Sequence, residues 1–376
     1  MSVGARDLKD APLAERLRER MRCDGAISFH DWMNAALYDK RYGYYARRDL
    51  ERWGREGDYR TSPERSTLFA ATFADYFAKL FGELDAPQEF TILEAGAGDG
   101  RFALGVLETF RDEYQEIFAR TRYLIDEVSM DSRERILRRL SGFSHRIEFR
   151  SLAQIETPFT GIIFSNELLD ALPVHRVVMR EGRLRELCVG VGQGGEFVWV
   201  EREPTRPELI SYFDWCGVRL DEGQIAEVNL EALDWIARAA SLLHKGFIIS
   251  IDYGAEAQQL YDAPHRREGT LRAFRHHRFA ENVLANPGEQ DLTSTVNWTA
   301  VMKAGERAGL KTLRLQRQDQ FLIEAGLLAR LERIAGETES ESEALLLRTS
   351  ARDLILPNGM GASFQVLEQQ VGRMKE

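Results

Sequence analysis

The stretch FTILEAGAGDGRFALGVLETF (90–110) decides the fold. A short apolar run ends in glycines at 96, 98 and 100, and an apolar periodicity of three to four follows from Phe102 to Phe110. Strand, glycine bend and helix in that order open a β-α-β unit. Three glycines in five residues let the main chain turn tightly and come within contact distance of a nucleotide-like ligand. A dinucleotide fingerprint needs glycine or alanine at 101 for a pyrophosphate on the helix N-terminus, and position 101 is Arg.

Outward from this unit, RYLID (122–126), GIIFSNE (161–167) and GFIISIDYG (246–254) read as further buried strands, with a helix at SRERILRRL (132–140). Alternation of apolar and polar residues from Val174 to about 203, with turns at Glu181–Gly182 and Gly192–Gly195, predicts an antiparallel β insertion within 174–228. Asn229 is expected to cap a helix reaching about His244. Toward the C-terminus a helix ends at Gly309. A strand near 311–317, a helix after Asp319 and a last strand near 363–367 follow, with GETESESE (336–343) as an acidic loop. Residues 1–85 read as a helical cap. Leu13, Leu17 and Met21 share one face, Ser28 and Asp31 form a capping pair, and Ser62–Pro63–Glu64 opens a long helix. Phe69, Phe73, Phe77, Leu80 and Phe81 are its buried stripe and Gly82 its stop.

The 376 residues carry 50 Lys+Arg against 60 Asp+Glu, a formal charge of −10, and 44% are hydrophobic. Such a chain can fill a large core, which excludes disordered and collagen-like classes. Three cysteines without a CxxC pair disfavour a disulfide framework or zinc knuckle and read as free thiols in or near the core. Seven histidines show no metal-ligand spacing, so no metal is expected. No apolar run approaches the ~20 residues of a membrane span, and the first residues lack a signal-peptide core, so a cytoplasmic location without membrane insertion is expected. The acidic balance argues against nucleic acid.

Chemistry gathers at the predicted strand ends. An acid about 30 residues past the first glycine can accept both hydroxyls of a ribose, and Asp126 and Glu127 both qualify. Asn166, Glu167 and Asp170 follow another strand, at the edge that faces the ligand crevice of open α/β sheets. Capping and first-turn dipole effects are the plain alternative for Asn166 and Glu167. Within 255–297, Arg266, Arg267, Arg272, Arg275 and Arg278 with Phe274 and Phe279 suit an acidic partner surface or RNA, with a solvated loop as the plain alternative.

EAGAGDG (94–100) resembles motif I of class I S-adenosylmethionine methyltransferases, whose ligand has no phosphate to cradle. Together with RYGYY (41–45), GDYRTSPERS (57–66), YLIDEVS (123–129), SNELLDALPVHR (165–176), EVN (227–229), IDYG (251–254), GTLRAF (269–274), PGEQDLT (287–293) and NGMGASFQVLEQ (358–369), it resembles the MidA family. That family includes a mitochondrial assembly factor that methylates an arginine of a respiratory complex I subunit. The resemblance spans nearly the whole chain, and GDYRTSPE and NELLDALPVH are its narrow motifs.

It implies an α/β fold, a Rossmann-like sheet of seven mostly parallel strands with the last antiparallel. A cap and lid (1–85) would precede the methyltransferase domain (86–376), whose insertion (174–228) and loop (255–297) wall the acceptor site. S-adenosylmethionine would meet Glu94, Gly96, Gly98, Gly100, Glu127 and, secondarily, Asp126, with Thr61, Ser62, Pro63 and Glu64 as a lid and Asn166 near the methyl group. Glu167, Asp170 and Asn166 are the candidate catalytic residues, and Glu64, His277 and Asp291 the candidate acceptor contacts. His276, Thr295 and Asn297 depart from the family pattern and bear on the acceptor. The expected partner is a protein substrate, such as a respiratory-complex subunit, and the insertion offers strand edges for a homodimer. The expected activity is methyl transfer to a protein arginine; a methyltransferase fold without turnover, or an RNA or small-molecule methyltransferase, is the alternative.

Overall fold

Phe90–Ala95 (β1) is buried at every position, as a strand covered on both faces requires. Thr121–Asp126 (β2), Ile147–Phe149 (β3), Phe159–Asn166 (β4), Leu243–Asp252 (β5), Leu310–Arg317 (β6) and Gln365–Val371 (β7) complete a seven-stranded sheet. Its order is β3-β2-β1-β4-β5-β7-β6. The first five strands pair in parallel, and β7 runs antiparallel to both β5 and β6. From β1 the chain proceeds to β2 and β3 on one side, then crosses to β4 on the other. That reversal leaves a crevice outside the carboxyl ends of β1 and β4. The computed structural model describes residues 12–47, 67–275, 278–337, 340–356 and 363–371.

Alternate residues of the strands feed two cores. On one face Phe90, Ile92, Phe164, Phe247 and Ile249 meet the helices Thr67–Glu83 and Arg101–Glu113. Phe102 stacks on Phe164 at 4.1 Å between ring centroids, and Phe73 packs edge-on against Phe164 at 5.3 Å. The other face sets Leu93, Leu124, Ile163 and Ile248 against the helices Leu230–Ser241 and Trp298–Arg307. All five residues of the expected aromatic stripe, from Phe69 to Phe81, are buried.

The insertion is a second, antiparallel sheet built from His175–Arg180, Arg183–Val191, Phe197–Arg202 and Ile225–Val228. Glu181 and Gly182 take φ of 50° and 70°, the mirror-image turn that suits a two-residue hairpin. Ile27–Ser28 adds a short strand to this sheet. Helix Phe29–Tyr38 follows, capped by Ser28, which accepts the Asp31 amide at 3.0 Å. Phe29, Trp32 and Met33 bury against Val174 and Val189, so the cap's first helices rest on the insertion.

Several expectations need correction. The long helix continues past Gly82 to Glu83, and the left-handed residues after it are Asp85 and Ala86. The Asn229-capped helix ends at Ser241, and His244 lies in β5. The acidic stretch 336–343 is not simply a loop, because helix Leu327–Glu337 ends in it and helix Glu341–Ile355 starts in it. The last strand runs to Val371. Cys188 and Cys216 are buried free thiols, whereas Cys23 is exposed. Among the described residues no helix is long and apolar enough to cross a membrane, and no metal-ligand cluster occurs.

Candidate functional site

The chain leaves β1 through a left-handed bend, with φ of 73° at Gly96, 57° at Gly98 and 80° at Gly100. A side chain at such angles costs roughly 1–2 kcal/mol per residue, which is why glycine recurs. The Gly96 amide donates to the Asp126 carbonyl at 2.8 Å, tying the bend to the end of β2. Gly100 is the N-cap of helix Arg101–Glu113, and a Cβ there would stand 2.9 Å from Ile136 Cγ1. Gly100 therefore packs against helix Met130–Arg139, while Gly96 and Gly98 form cavity wall. Asp99 is held by Arg101 Nε and Arg139 Nη2, both donating to its Oδ2 at 2.8 Å.

Three acids surround the bend. Glu94 is buried and accepts the Tyr123 hydroxyl at 2.6 Å. Burial pushes its carboxyl up to about 8, opposed by that hydrogen bond and reinforced by Glu127 and Asp99, so it holds its proton at neutral pH. Glu127 Oε2 accepts the Gly98 amide at 3.0 Å and Oε1 the Ser129 amide at 2.7 Å. Asp126 accepts the Leu152 amide at 2.8 Å, and burial raises its carboxyl above the usual range.

Beyond β4 the chain turns again. Glu167 is left-handed at φ 53°, and its amide donates to the Ile251 carbonyl of β5 at 2.9 Å. Asn166 Nδ2 donates to Glu167 Oε1 at 3.1 Å. Asp170 is 2% exposed and raised well above the carboxylate range by burial, then by the charges of Asp252, Glu167 and Asp291. Asp291 is buried on the short strand Asp291–Thr293 and accepts the Tyr45 hydroxyl at 3.2 Å.

One cavity of about 260 Å³ joins these parts. Gly96, Gly98, Asp126 and Glu127 line it on the β1–β2 side and Asn166 and Glu167 on the β4 side, with Glu94, Phe102 and Phe164 also in its wall. Asp170 and Asp291 are absent from the wall and lie buried behind it. Thr61, Ser62, Pro63, Glu64 and His277 fall outside the described residues. The wall also contains Tyr38, Tyr45 and Trp235, which sequence reasoning did not single out. RYGYY was the available signal for Tyr45. Asn297, a departure from the family pattern, caps the following helix through the Ala300 amide at 3.2 Å and donates to the Tyr212 hydroxyl at 3.1 Å.

The family model described as "Putative S-adenosyl-L-methionine-dependent methyltransferase" matches residues 72–316. A Burkholderia thailandensis protein, solved with S-adenosyl-homocysteine bound, superposes with a TM-score of 0.84 at 29% identity, covering 95% of this chain and 91% of that one. Among curated proteins, the Drosophila melanogaster "Protein arginine methyltransferase NDUFAF7 homolog, mitochondrial" is 26% identical, over 94% of this chain and 84% of its own. Its Danio rerio counterpart is 25% identical over 94% and 85%. Both relatives are mitochondrial by name, which overturns the expectation of a cytoplasmic location. A glycine bend facing two strand-end acids, the sheet order and a match over most of the chain agree: the chain belongs to this family of S-adenosyl-L-methionine-dependent methyltransferases.

Proposed function

We propose that the protein moves the methyl group of S-adenosylmethionine onto an arginine guanidinium of a protein substrate, the activity named for its curated relatives. The observation that carries this reading is the single cavity joining the glycine bend to Asn166 and Glu167. Its residues suit the cofactor: a bend without side chains allows close approach to main chain, and a carboxylate can accept about four hydrogen bonds. Gly96 and Gly98 would face the methionine and adenosine portions, Glu127 with Asp126 beside it would accept ribose hydroxyls, and Glu94 would border them. Gly100 would support the bend from behind.

When bound, S-adenosylmethionine supplies an electrophilic methyl on a sulfonium, so alignment and exclusion of water are the main demands. A guanidinium with a pKa above about 12 is a poor nucleophile until oriented and relieved of a proton. Glu167 would grip its planar fork, Asn166 would set Glu167 through their hydrogen bond, and Asp170 would supply a second carboxylate from behind the wall. Asp291, Glu64 and His277 are proposed acceptor contacts, and Thr61–Glu64 a lid carried by a cap of residues 1–85 on a methyltransferase domain of 86–376. Insertion 174–228 and loop 255–297 would wall the acceptor, for which a respiratory-complex subunit is the finer proposal. Edge strands of the insertion would serve a homodimer.

Calorimetry with S-adenosyl-homocysteine and transfer of labelled methyl to a protein extract, with mass spectrometry of the product, test the reading. Glu167→Gln is expected to keep cofactor affinity within about threefold and to abolish turnover. Unchanged turnover removes Glu167 from the mechanism, and label found only outside arginine removes the acceptor assignment.

A further inference from the structure

IDYG (251–254) has no part in the transfer as proposed, yet it carries the most enclosed acid near the cavity. Asp252, at the end of β5, has no exposed surface. Its Oδ2 accepts the Leu169 amide at 2.9 Å and the Asp170 amide at 3.2 Å, and its Oδ1 the Tyr253 amide at 2.9 Å. The same turn is held from other sides. Glu167 donates its amide to Ile251, Asn229 Nδ2 donates to the Leu169 carbonyl at 2.8 Å, and the Ser294 amide donates to the Asp170 carbonyl at 2.9 Å. A left-handed glutamate persists only where its surroundings over-determine it, and these contacts supply that constraint at Glu167.

Asp170 Oδ1 is enclosed and has no hydrogen-bond partner among the described residues. The titratable groups facing Asp170 are Asp252 and Tyr253 at the end of β5, Glu167 in its own turn, Asp291 on the neighbouring strand and Tyr38 on helix Phe29–Tyr38. A buried carboxyl among acids and phenols calls for a cationic group that donates hydrogen bonds.

We propose that Asp252 is a positioning residue for the methyl acceptor: it locks the Glu167–Asp170 turn onto β5 and holds the two carboxyls in fixed relation to the cavity. This rests on the cavity being the methyl-transfer site. Burial pushes Asp252 up to about 7 against the amides gathered on it, which favour its charged form; burial first, and then the charge of ionised Asp252, keep the proton on Asp170. A guanidinium arriving at the turn favours ionised Asp170, so the acid limb of the rate profile reports that proton, and Asp252 sets where the limb falls.

The test compares wild type, Asp252→Asn and Asp170→Asn by amide hydrogen exchange, by calorimetry with S-adenosyl-homocysteine and by arginine labelling across pH. Asp252→Asn is expected to speed exchange at Leu169 and Asp170 about tenfold or more, with cofactor affinity within about threefold. It should also lower kcat about thirtyfold and move the acid limb down by about half a pH unit or more, because a neighbouring negative charge is gone. Asp170→Asn should abolish the limb. Unchanged exchange, or a rate loss with the limb unmoved, overturns the positioning role. Faster exchange in Asp252→Asn with no arginine labelled by wild type keeps the anchoring and sinks the arginine reading instead. Should Asp252→Asn fail to fold, Asp252→Ser, whose hydroxyl still accepts an amide, carries the same readouts.

Discussion

Glu127 accepts the Gly98 amide at 3.0 Å, so the acid at the end of β2 and the middle glycine of the bend are one hydrogen-bonded unit. Its other oxygen takes the Ser129 amide, which fixes the carboxylate in the cavity wall. A glutamine there keeps one acceptor and turns an amide group toward a main-chain N–H, leaving a buried donor unsatisfied. Glu127→Gln is therefore expected to weaken S-adenosyl-homocysteine about 10- to 100-fold in calorimetry and to destabilise the fold by about 1–3 kcal/mol in denaturant unfolding.

Gly100 offers a test of the bend that separates conformation from contact. An alanine pays for φ of 80° and brings its Cβ to 2.9 Å from Ile136 Cγ1. Gly100→Ala is expected to destabilise by about 2–3 kcal/mol in urea unfolding. Adding Ile136→Ala, which removes the opposing atom, should make the double variant about 1 kcal/mol more stable than additivity predicts. Strict additivity would mean that backbone conformation alone accounts for the cost.

Much of this arrangement was legible in the sequence, for identifiable reasons. Parallel strands buried on both faces are short apolar runs, and three left-handed residues in five admit few side chains besides hydrogen, so β1, β4, β5 and the bend could be read directly. Helix ends were harder. Between Ala239 and Lys245 no glycine or proline breaks the chain, and the helix-to-strand change is set by sheet pairing at Leu243 with Phe159, before Gly246. The acidic run 336–343 reads as a solvated loop, although glutamate at 341 begins a helix as readily as it solvates one. Asp252 was invisible as an anchor of the turn because the Leu169 and Asp170 amides it accepts lie more than 80 residues away. Tyr38 and Tyr45 reach the cavity only through the packing of the cap on the insertion.

Glu94 makes stability depend on pH. Its carboxyl, at about 8 when folded, keeps a proton that the unfolded chain releases near the ordinary glutamate value of 4.5. The folded state thus binds more protons between those values, and stability falls as pH rises from about 4.5 to 8 before levelling. Glu94→Gln, neutral at every pH and still an acceptor for Tyr123, is expected to match wild type near pH 5. It should exceed wild type by about 4 kcal/mol near pH 8.5 in denaturant unfolding. A constant difference at both pH values would show that the Glu94 proton is not coupled to folding.

His30 works in the same direction through the opposite charge. Its Nδ1 lies 3.3 Å from Asp31 Oδ1 and its Nε2 2.9 Å from Glu231 Oε1, and the ring stacks on His175 with centroids 4.9 Å apart. The hydrogen bonds to Asp31 and then Glu231 raise its pKa to about 9 against the opposing effect of burial. A base raised by folding contributes stability fully below the unfolded value near 6.5 and loses it as pH climbs through 9. The contact matters to the cavity because it clamps helix Phe29–Tyr38, bearing Tyr38, to helix Leu230–Ser241, bearing Trp235. His30→Gln cannot ionise, so it is expected to lose about 1–2 kcal/mol near pH 5.5, after discounting for partial exposure, and almost nothing near pH 9.5. The Glu94 slope is common to both proteins and drops out of that difference. A deficit that persists undiminished at high pH would assign the loss to ring packing on His175 rather than to the charge.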